Sequence, residues 1–255
     1  MSNKKFFWIL LLGSLCLHQA TQAQIVNIED RRIRLADSVS FGGFADLGLS
    51  LYKNNNSVVT AHAAVQMEYL HKKHFILSIS QYNFIKSAGN NVLNEGFQHI
   101  RYDYGLNDRY VYEAYGQIQY NEQIPLQSRN LVGTGIRVKI LKKLTHRIVV
   151  GVSYMFETER FKDSVSLRVN HRMSSYLAFS IGLPHGSKFS SITYFQPMLA
   201  DWSNHRLTSN TTLSLNMTKK LAFTAAFNIS YDNDHTLQNI PPVTYSLTNG
   251  LRWSF

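Results

Sequence analysis

Cysteine is nearly absent from this sequence. There is one, Cys16, in 255 residues, and it falls inside the N-terminal leader, so no internal disulfide is available to brace the rest of the chain, although exported small domains commonly rely on them. Also lacking is any apolar run of about twenty residues beyond the leader, which excludes helical membrane spans. Acidic residues are scarce: 16 Asp and Glu stand against 26 Lys and Arg, for a formal net charge of +10. A basic surface can serve nucleic acid, but no recognition helix or finger is visible and the chain opens with an export signal. Nucleic acid is therefore excluded as a partner, and anionic lipid headgroups or lumen contents are expected instead.

Aromatic residues are plentiful, at 13% with 14 Tyr and 15 Phe. The leader MSNKKFFWILLLGSLCLHQATQA places Lys4 and Lys5 before an apolar run from Phe6 to Leu17, then small and polar residues ending at Ala23. This is the pattern of a secretory signal peptide over 1–23, cleaved after Ala23. The run is too short for a comfortable membrane anchor, and Leu15 stands where a lipoprotein would need a small residue before Cys16. Residues 24–37 are expected to form a short periplasmic segment, and 38–255 the folded domain.

From Ser38 onward the chain divides into strand-length pieces separated by polar joints. Twelve strands are predicted, over 38–52, 56–70, 74–87, 94–104, 110–121, 130–141, 145–157, 165–182, 188–199, 206–217, 221–232 and 244–255. Many alternate with period two, so each has two unlike faces. In 221–232, Leu221, Phe223, Ala225, Phe227, Ile229 and Tyr231 share one face; Thr224, Asn228 and Ser230 share the other. The pieces 74–87 and 188–199 resist orientation. Joints at 71–73, 105–109, 142–144, 184–187 and 218–220 are tight, while those at 87–93, 122–129, 158–163, 200–205 and 233–243 are longer. The joint at 53–55 is short and breaks that rhythm. Short turns at one end and longer loops at the other, with an even strand number, predict a transmembrane antiparallel up-and-down β-barrel. A β-sandwich would also supply many short strands, without the asymmetry of loop length. The last strand, YSLTNGLRWSF, is expected to close against the first, with Trp253 and Phe255 read as its assembly signal by the barrel-assembly machinery.

Parity then places Glu68, Arg101, Asp103, Glu113, Arg137, Lys139, Glu157, Arg168, Arg172 and Arg252 on the wet faces. Lys or Arg on a lipid face at mid-bilayer costs about 2–4 kcal/mol, so a charged lumen is expected: a structural plug of ion pairs, or a narrow pore for a small solute. Glu113 and Arg137 fall at similar depth on neighbouring strands and are predicted to pair, joined by Arg168 or Arg172 from the facing side.

Other constellations are weaker. His171 with Ser174 or Ser175 suggests an outer-membrane lipase or phospholipase, which is the alternative function. His171 and Ser174 point to opposite faces, however, and His171 and Ser175 are separated by about 13 Å of strand, where a nucleophile and its base need about 3 Å. No catalytic residue is assigned and an enzyme is not expected. The ten histidines show no metal-site spacing; His71 and His74, at i and i+3 across a turn, could hold a metal between them, but neither metal nor cofactor is expected. Gly133-Thr134-Gly135 opens no helix and so is no phosphate loop; small residues where interior surfaces crowd are the better account. The sequons at Asn210 and Asn228 lie mid-strand and read as barrel interior, and Pro241-Pro242 stiffens the last loop.

Several stretches carry a family resemblance. Tyr112-Glu113-Ala114-Tyr115-Gly116-Gln117-Ile118-Gln119-Tyr120-Asn121 resembles the "FE-x-x-x-QYQYN" strand of the family known as domain of unknown function 481. Arg129-Asn130-Leu131-Val132-Gly133-Thr134-Gly135-Ile136-Arg137 resembles its "R-x-L-x-G-x-G-x-R" segment. Arg172-Met173-Ser174-Ser175-Tyr176 is similar to its "R-x-S-N-Y", and Tyr194-Phe195-Gln196-Pro197 to its "YYQP". Where the family tends to show Asp-Tyr-Arg, this chain has Asn204-His205-Arg206. The resemblance spans roughly 40 to 255 and implies an outer-membrane barrel of Gram-negative bacteria with no assigned reaction.

Overall fold

The computed structural model describes residues 40–54, 56–122, 126–143, 145–162, 167–218, 221–233 and 242–253. Twelve strands run in chain order through one sheet, each antiparallel to its neighbour. They are β1 (Ser40–Lys53), β2 (Ser57–His71), β3 (His74–Ser87), β4 (Asn90–Gly105), β5 (Tyr110–Asn121), β6 (Leu126–Lys142), β7 (His146–Phe161), β8 (Leu167–Gly182), β9 (Lys188–Pro197), β10 (His205–Asn216), β11 (Leu221–Asp232) and β12 (Val243–Trp253). A 3-10 turn at Pro184–Gly186 is the one helical element among the described residues. The leader and the 24–37 segment lie outside them, as does Phe255.

Period-two alternation sorts the faces. On β5, Val111, Glu113, Gln119 and Asn121 are buried while Tyr112 and Ile118 are exposed. The inner face is concave. The Tyr176 hydroxyl of β8 reaches both carboxylate oxygens of Glu113 on β5 at 2.9 Å. In a flat sheet those strands would lie about 14 Å apart, at about 4.8 Å per strand. Arg206 on β10 similarly reaches Glu157 on β7.

β3 and β9 resist orientation from sequence because the interior there is apolar. Leu77 and Ile79 of β3 pack inward with Phe97, and Ile192 and Tyr194 of β9 with Val149, Tyr176 and Ala178. Ser78, Ser80 and Thr193 turn outward and find polar partners on the neighbouring strands. Ser78 and Ser80 bond to Gln98, and Thr193 pairs with Ser209 at 3.0 Å. The usual polarity of the two faces is thus locally blurred.

Two expectations need revision. The loop predicted at 87–93 is a two-residue turn: β4 begins at Asn90, because Ala88 and Gly89 both take left-handed backbone, with φ of 50° and 85°, the conformation that closes tight hairpins. Among the described residues, the ladder expected between the last strand and the first is not formed. β1 pairs with β2, β12 pairs with β11, and the two are the edges of the sheet.

Candidate functional site: two tiers of buried ion pairs

The site begins with two glycines. Gly133 on β6 stands opposite Tyr115 of β5, and Gly151 on β7 opposite Tyr176 of β8. Each tyrosine ring lies across its glycine, so closely that an added Cβ would meet the ring at 2.3 Å and 2.1 Å respectively. Without a side chain in the way, the rings extend along the sheet rather than standing up from it. Tyr115 then reaches Ser153 Oγ at 2.9 Å, and Tyr176 reaches Glu113. The predicted crowding at Gly133-Thr134-Gly135 is therefore real, and its agents are Tyr115 and, for Gly135, the β7 backbone at Val152 and Ser153.

The first tier lies toward the tight-turn end. Glu113 accepts a hydrogen bond from Arg101 at 3.0 Å and lies 3.6 Å from the Arg137 guanidinium, which is 3.9 Å from Asp103. All four are buried, and Arg101 also sits over the Tyr115 ring at 5.0 Å. The predicted Glu113–Arg137 contact is present, though in the ladder Arg137 faces Val111, two residues from Glu113. The expectation that Arg168 or Arg172 would join it is wrong. Arg101 and Tyr176 take that place, because β4 is an immediate neighbour of β5 and Gly151 clears the way for the tyrosine.

The second tier lies toward the longer loops and centres on Glu157, which is completely buried. Three arginines converge on its carboxylate: Arg129 at 2.8 and 2.5 Å, Arg172 at 2.8 Å, and Arg206 at 2.9 and 3.0 Å. Arg206 also donates to Glu159 at 2.8 Å and Asp232 at 2.7 Å. Asn170 bonds both Glu157 and Glu159 at 3.2 Å. Arg172 continues to the Gln196 carbonyl at 3.0 Å and Asn204 Oδ1 at 2.9 Å. Each tier balances its formal charge, two arginines against two acids in the first and three against three in the second. Charges buried in this way are tolerable only when paired and hydrogen-bonded.

The remaining predicted residues are not among the arginines and acids paired above. Glu68 is buried on β2 and accepts from Gln66 at 2.8 Å. Lys139 and Arg168 are half-buried on the inner faces of β6 and β8; Arg168 faces Glu159 in the ladder and lies 5.9 Å from the Phe161 ring. Arg252 and Trp253 pair through their backbones with Ala222 and Leu221, and their side chains lie outside the described residues. Sequence reasoning missed Arg129, Glu159, Arg206 and Asp232. Arg129 and Arg206 had a usable signal: each stands in one of the family-like segments, with the parity of a wet face. His171 faces outward, bonded to the Tyr154 hydroxyl at 2.5 Å, and Ser175 donates to the Phe195 carbonyl at 3.1 Å. Among the described residues no three His, Cys, Asp or Glu side chains group as metal ligands would.

Between the tiers lies a cavity of about 40 Å³, lined among others by Arg101 of the first and Arg129 of the second. Residues 45–251 match the family described as "Protein of unknown function, DUF481", and the chain belongs to it. No curated protein and no solved structure gives a significant match.

Proposed function

We propose that this member of the DUF481 family is an outer-membrane β-barrel, delivered by a signal peptide over 1–23, whose lumen is narrowed by two tiers of ion pairs and is either purely structural or a passive route for small solutes. The observation that carries this reading is the split between faces. Outward-facing Ile118, Val132 and Val152 are 60%, 58% and 50% exposed, while Glu113, Arg137, Glu157 and Arg172 are each at most 1% exposed. A soluble sheet does the reverse; lipid outside and polar groups inside reconcile the two. Tyr112 and Tyr120, outward on β5 and eight residues apart, bracket about 27 Å of strand, or about 21 Å at a tilt of about 40°, close to the apolar band of such barrels.

Closure of β1 on β12 belongs to this proposal. Both edges carry the alternation of the rest, with Leu47, Leu49 and Leu51 on β1 and Tyr245, Leu247 and Leu251 on β12 exposed. Unpaired backbone groups are costly in hydrocarbon, and twelve antiparallel strands bring the first and last into the antiparallel sense that a closing ladder needs. Partners are the membrane lipids and the barrel-assembly machinery. Membrane fractionation with heat-modifiable migration in detergent gels tests the reading: a shift between folded and boiled protein in the outer-membrane fraction is expected. Recovery as a soluble periplasmic protein overturns it, and lipid hydrolysis by pure protein overturns its non-enzymatic character.

A further inference from the structure

The two tiers balance their formal charge, so the chain's excess of cations lies outside them, and it gathers at one end of the sheet. The tight turns carry Lys72 and Lys73 between β2 and β3, Arg109 between β4 and β5, and Lys142 and Lys143 where β6 gives way to β7. In the sequence, Lys219 and Lys220 separate β10 from β11 in the same way. Asp108 is the one acid in the sequence of these turns. The other end has no such excess. There the exposed cations Lys53, Lys86, Arg160 and Lys162 are matched in number by Glu122, Asp163, Asp201 and Asp234 in the sequence of the loops.

The basic turns form a continuous rim. The Gly105 N–H donates to the Lys73 carbonyl at 2.8 Å, the Lys139 N–H to the Arg109 carbonyl at 2.9 Å, and the Gly182 N–H to the Thr145 carbonyl at 2.6 Å. Each turn is thus tied to the next strand pair, and successive turns stand about 10 Å apart, two strands along the sheet. Lys72, Lys73, Arg109, Lys142 and Lys143 are all exposed, and none has an ion-pair partner among the described residues. The rim also leans outward. The Arg109 guanidinium lies 5.8 Å from the ring of Tyr110, which shares the outer face with Tyr112. Beside Lys73, His74 Nδ1 is 2.8 Å from the Tyr102 hydroxyl, and its ring is 5.0 Å from that of Tyr104. With Tyr69 and Tyr112 these rings make an outward aromatic belt just inside the rim, and such belts sit at headgroup level. Three residues of strand, at most about 10 Å, separate Tyr112 from Arg109. That is about one Debye length at about 0.1 M salt, which brings the rim within reach of lipid phosphates.

We propose that the tight-turn rim is a binding surface for anionic phospholipid headgroups. Lys72, Lys73, Arg109, Lys142 and Lys143 meet the phosphates, and the tyrosine belt meets the glycerol region beneath. This rests on the barrel reading, which sets the short turns on the periplasmic side of the membrane. A lipid is favoured over a soluble polyanion because the cations border the aromatic belt, and Arg109 is drawn to the outer face rather than over the mouth of the lumen. One cation near an anionic headgroup raises its partition about fivefold.

The test uses the protein folded into phosphatidylcholine vesicles, with folding verified by heat-modifiable migration. Spin-labelled phosphatidylglycerol and spin-labelled phosphatidylcholine are added in separate samples, and electron paramagnetic resonance reads the fraction of each that the protein holds immobile. Phosphatidylglycerol should be preferred severalfold at about 0.1 M salt, and the preference should fade at about 1 M, where the Debye length is about 3 Å. Replacing Lys72, Lys73, Lys142 and Lys143 together by Gln should remove most of it. Lys86→Gln with Arg160→Gln, which removes two cations from the other end, should leave it intact. Folded protein that holds both lipids equally overturns the proposal, as does a preference that survives the four rim substitutions or is lost with the loop-end pair. Inorganic triphosphate that abolishes the preference at micromolar concentration assigns the rim to soluble polyanions and overturns the lipid reading. All of these leave the barrel standing; protein that never becomes heat-modifiable in the vesicles overturns both.

Discussion

Removing the Glu157 carboxylate should be among the most damaging single changes to this fold. In Glu157→Gln the side chain keeps its size, but three arginines that converge within 3.0 Å of the carboxylate lose their common counter-charge. Glu159 and Asp232 remain, and both contact Arg206. Among the described residues, Arg172 then keeps the backbone carbonyl of Gln196 and the oxygens of Asn204. Stranding a buried charge by deleting its partner costs about 3–5 kcal/mol; with a urea m-value of about 2–3 kcal/mol/M the midpoint should fall by about 1–2.5 M. The converse change is milder. Arg172→Met leaves Glu157 with Arg129 and Arg206 and forfeits the charge-assisted hydrogen bonds of one guanidinium, about 1.5–3 kcal/mol. Combining the two removes both the stranded cation and its anion, so the double variant should be less destabilised than the sum of the singles by about 1 kcal/mol or more. Urea titration of vesicle-embedded protein, followed by tryptophan fluorescence and by the heat-modifiable fraction, reads all three. A Glu157→Gln midpoint equal to the parent's, or strict additivity in the double variant, refutes the convergence as a stabilising centre.

The same cycle on the first tier, Glu113→Ala with Arg137→Ala, should give a smaller coupling than at Glu157, because the contact is 3.6 Å and Arg101 remains beside Glu113; equal or larger coupling in the urea titration contradicts the geometry. Gly151→Ala should cost about 1–3 kcal/mol through overpacking, since the new methyl displaces the Tyr176 ring that crosses Gly151 and carries its hydroxyl to Glu113. Additional loss of Tyr176 as Phe should then add little, and a full additive loss argues against that chain of contacts. Deleting Phe255 should lower the amount of barrel in the membrane without changing the urea midpoint of the molecules that do insert; normal insertion levels and rates rule out its role as an assembly signal.

Strand positions, their number and most of their facing follow from the order of residues alone. The reason is that period two is a local property, written into each strand without reference to its partners. It oriented β5, β7 and β11 from short stretches such as Leu221-Ala222-Phe223-Thr224, and it placed Glu113, Arg137, Glu157 and Arg172 on the inner face before any contact was known. What parity cannot do is choose partners across the interior. That choice depends on the curl of the sheet, which brings β8 to β5 and β10 to β7, and on where a missing side chain lets another lie down. So Arg168 or Arg172 was expected beside Glu113, whereas the fold gives Arg172 to Glu157 and hands Glu113 to Arg101 and Tyr176 across Gly151. Locally inverted polarity hid β3 and β9, because Leu77, Ile79 and Ile192 found apolar neighbours inside while Ser80 and Thr193 found hydroxyl or amide partners outside. A face can be read from a strand by itself; a neighbour three strands away is decided only by tertiary geometry.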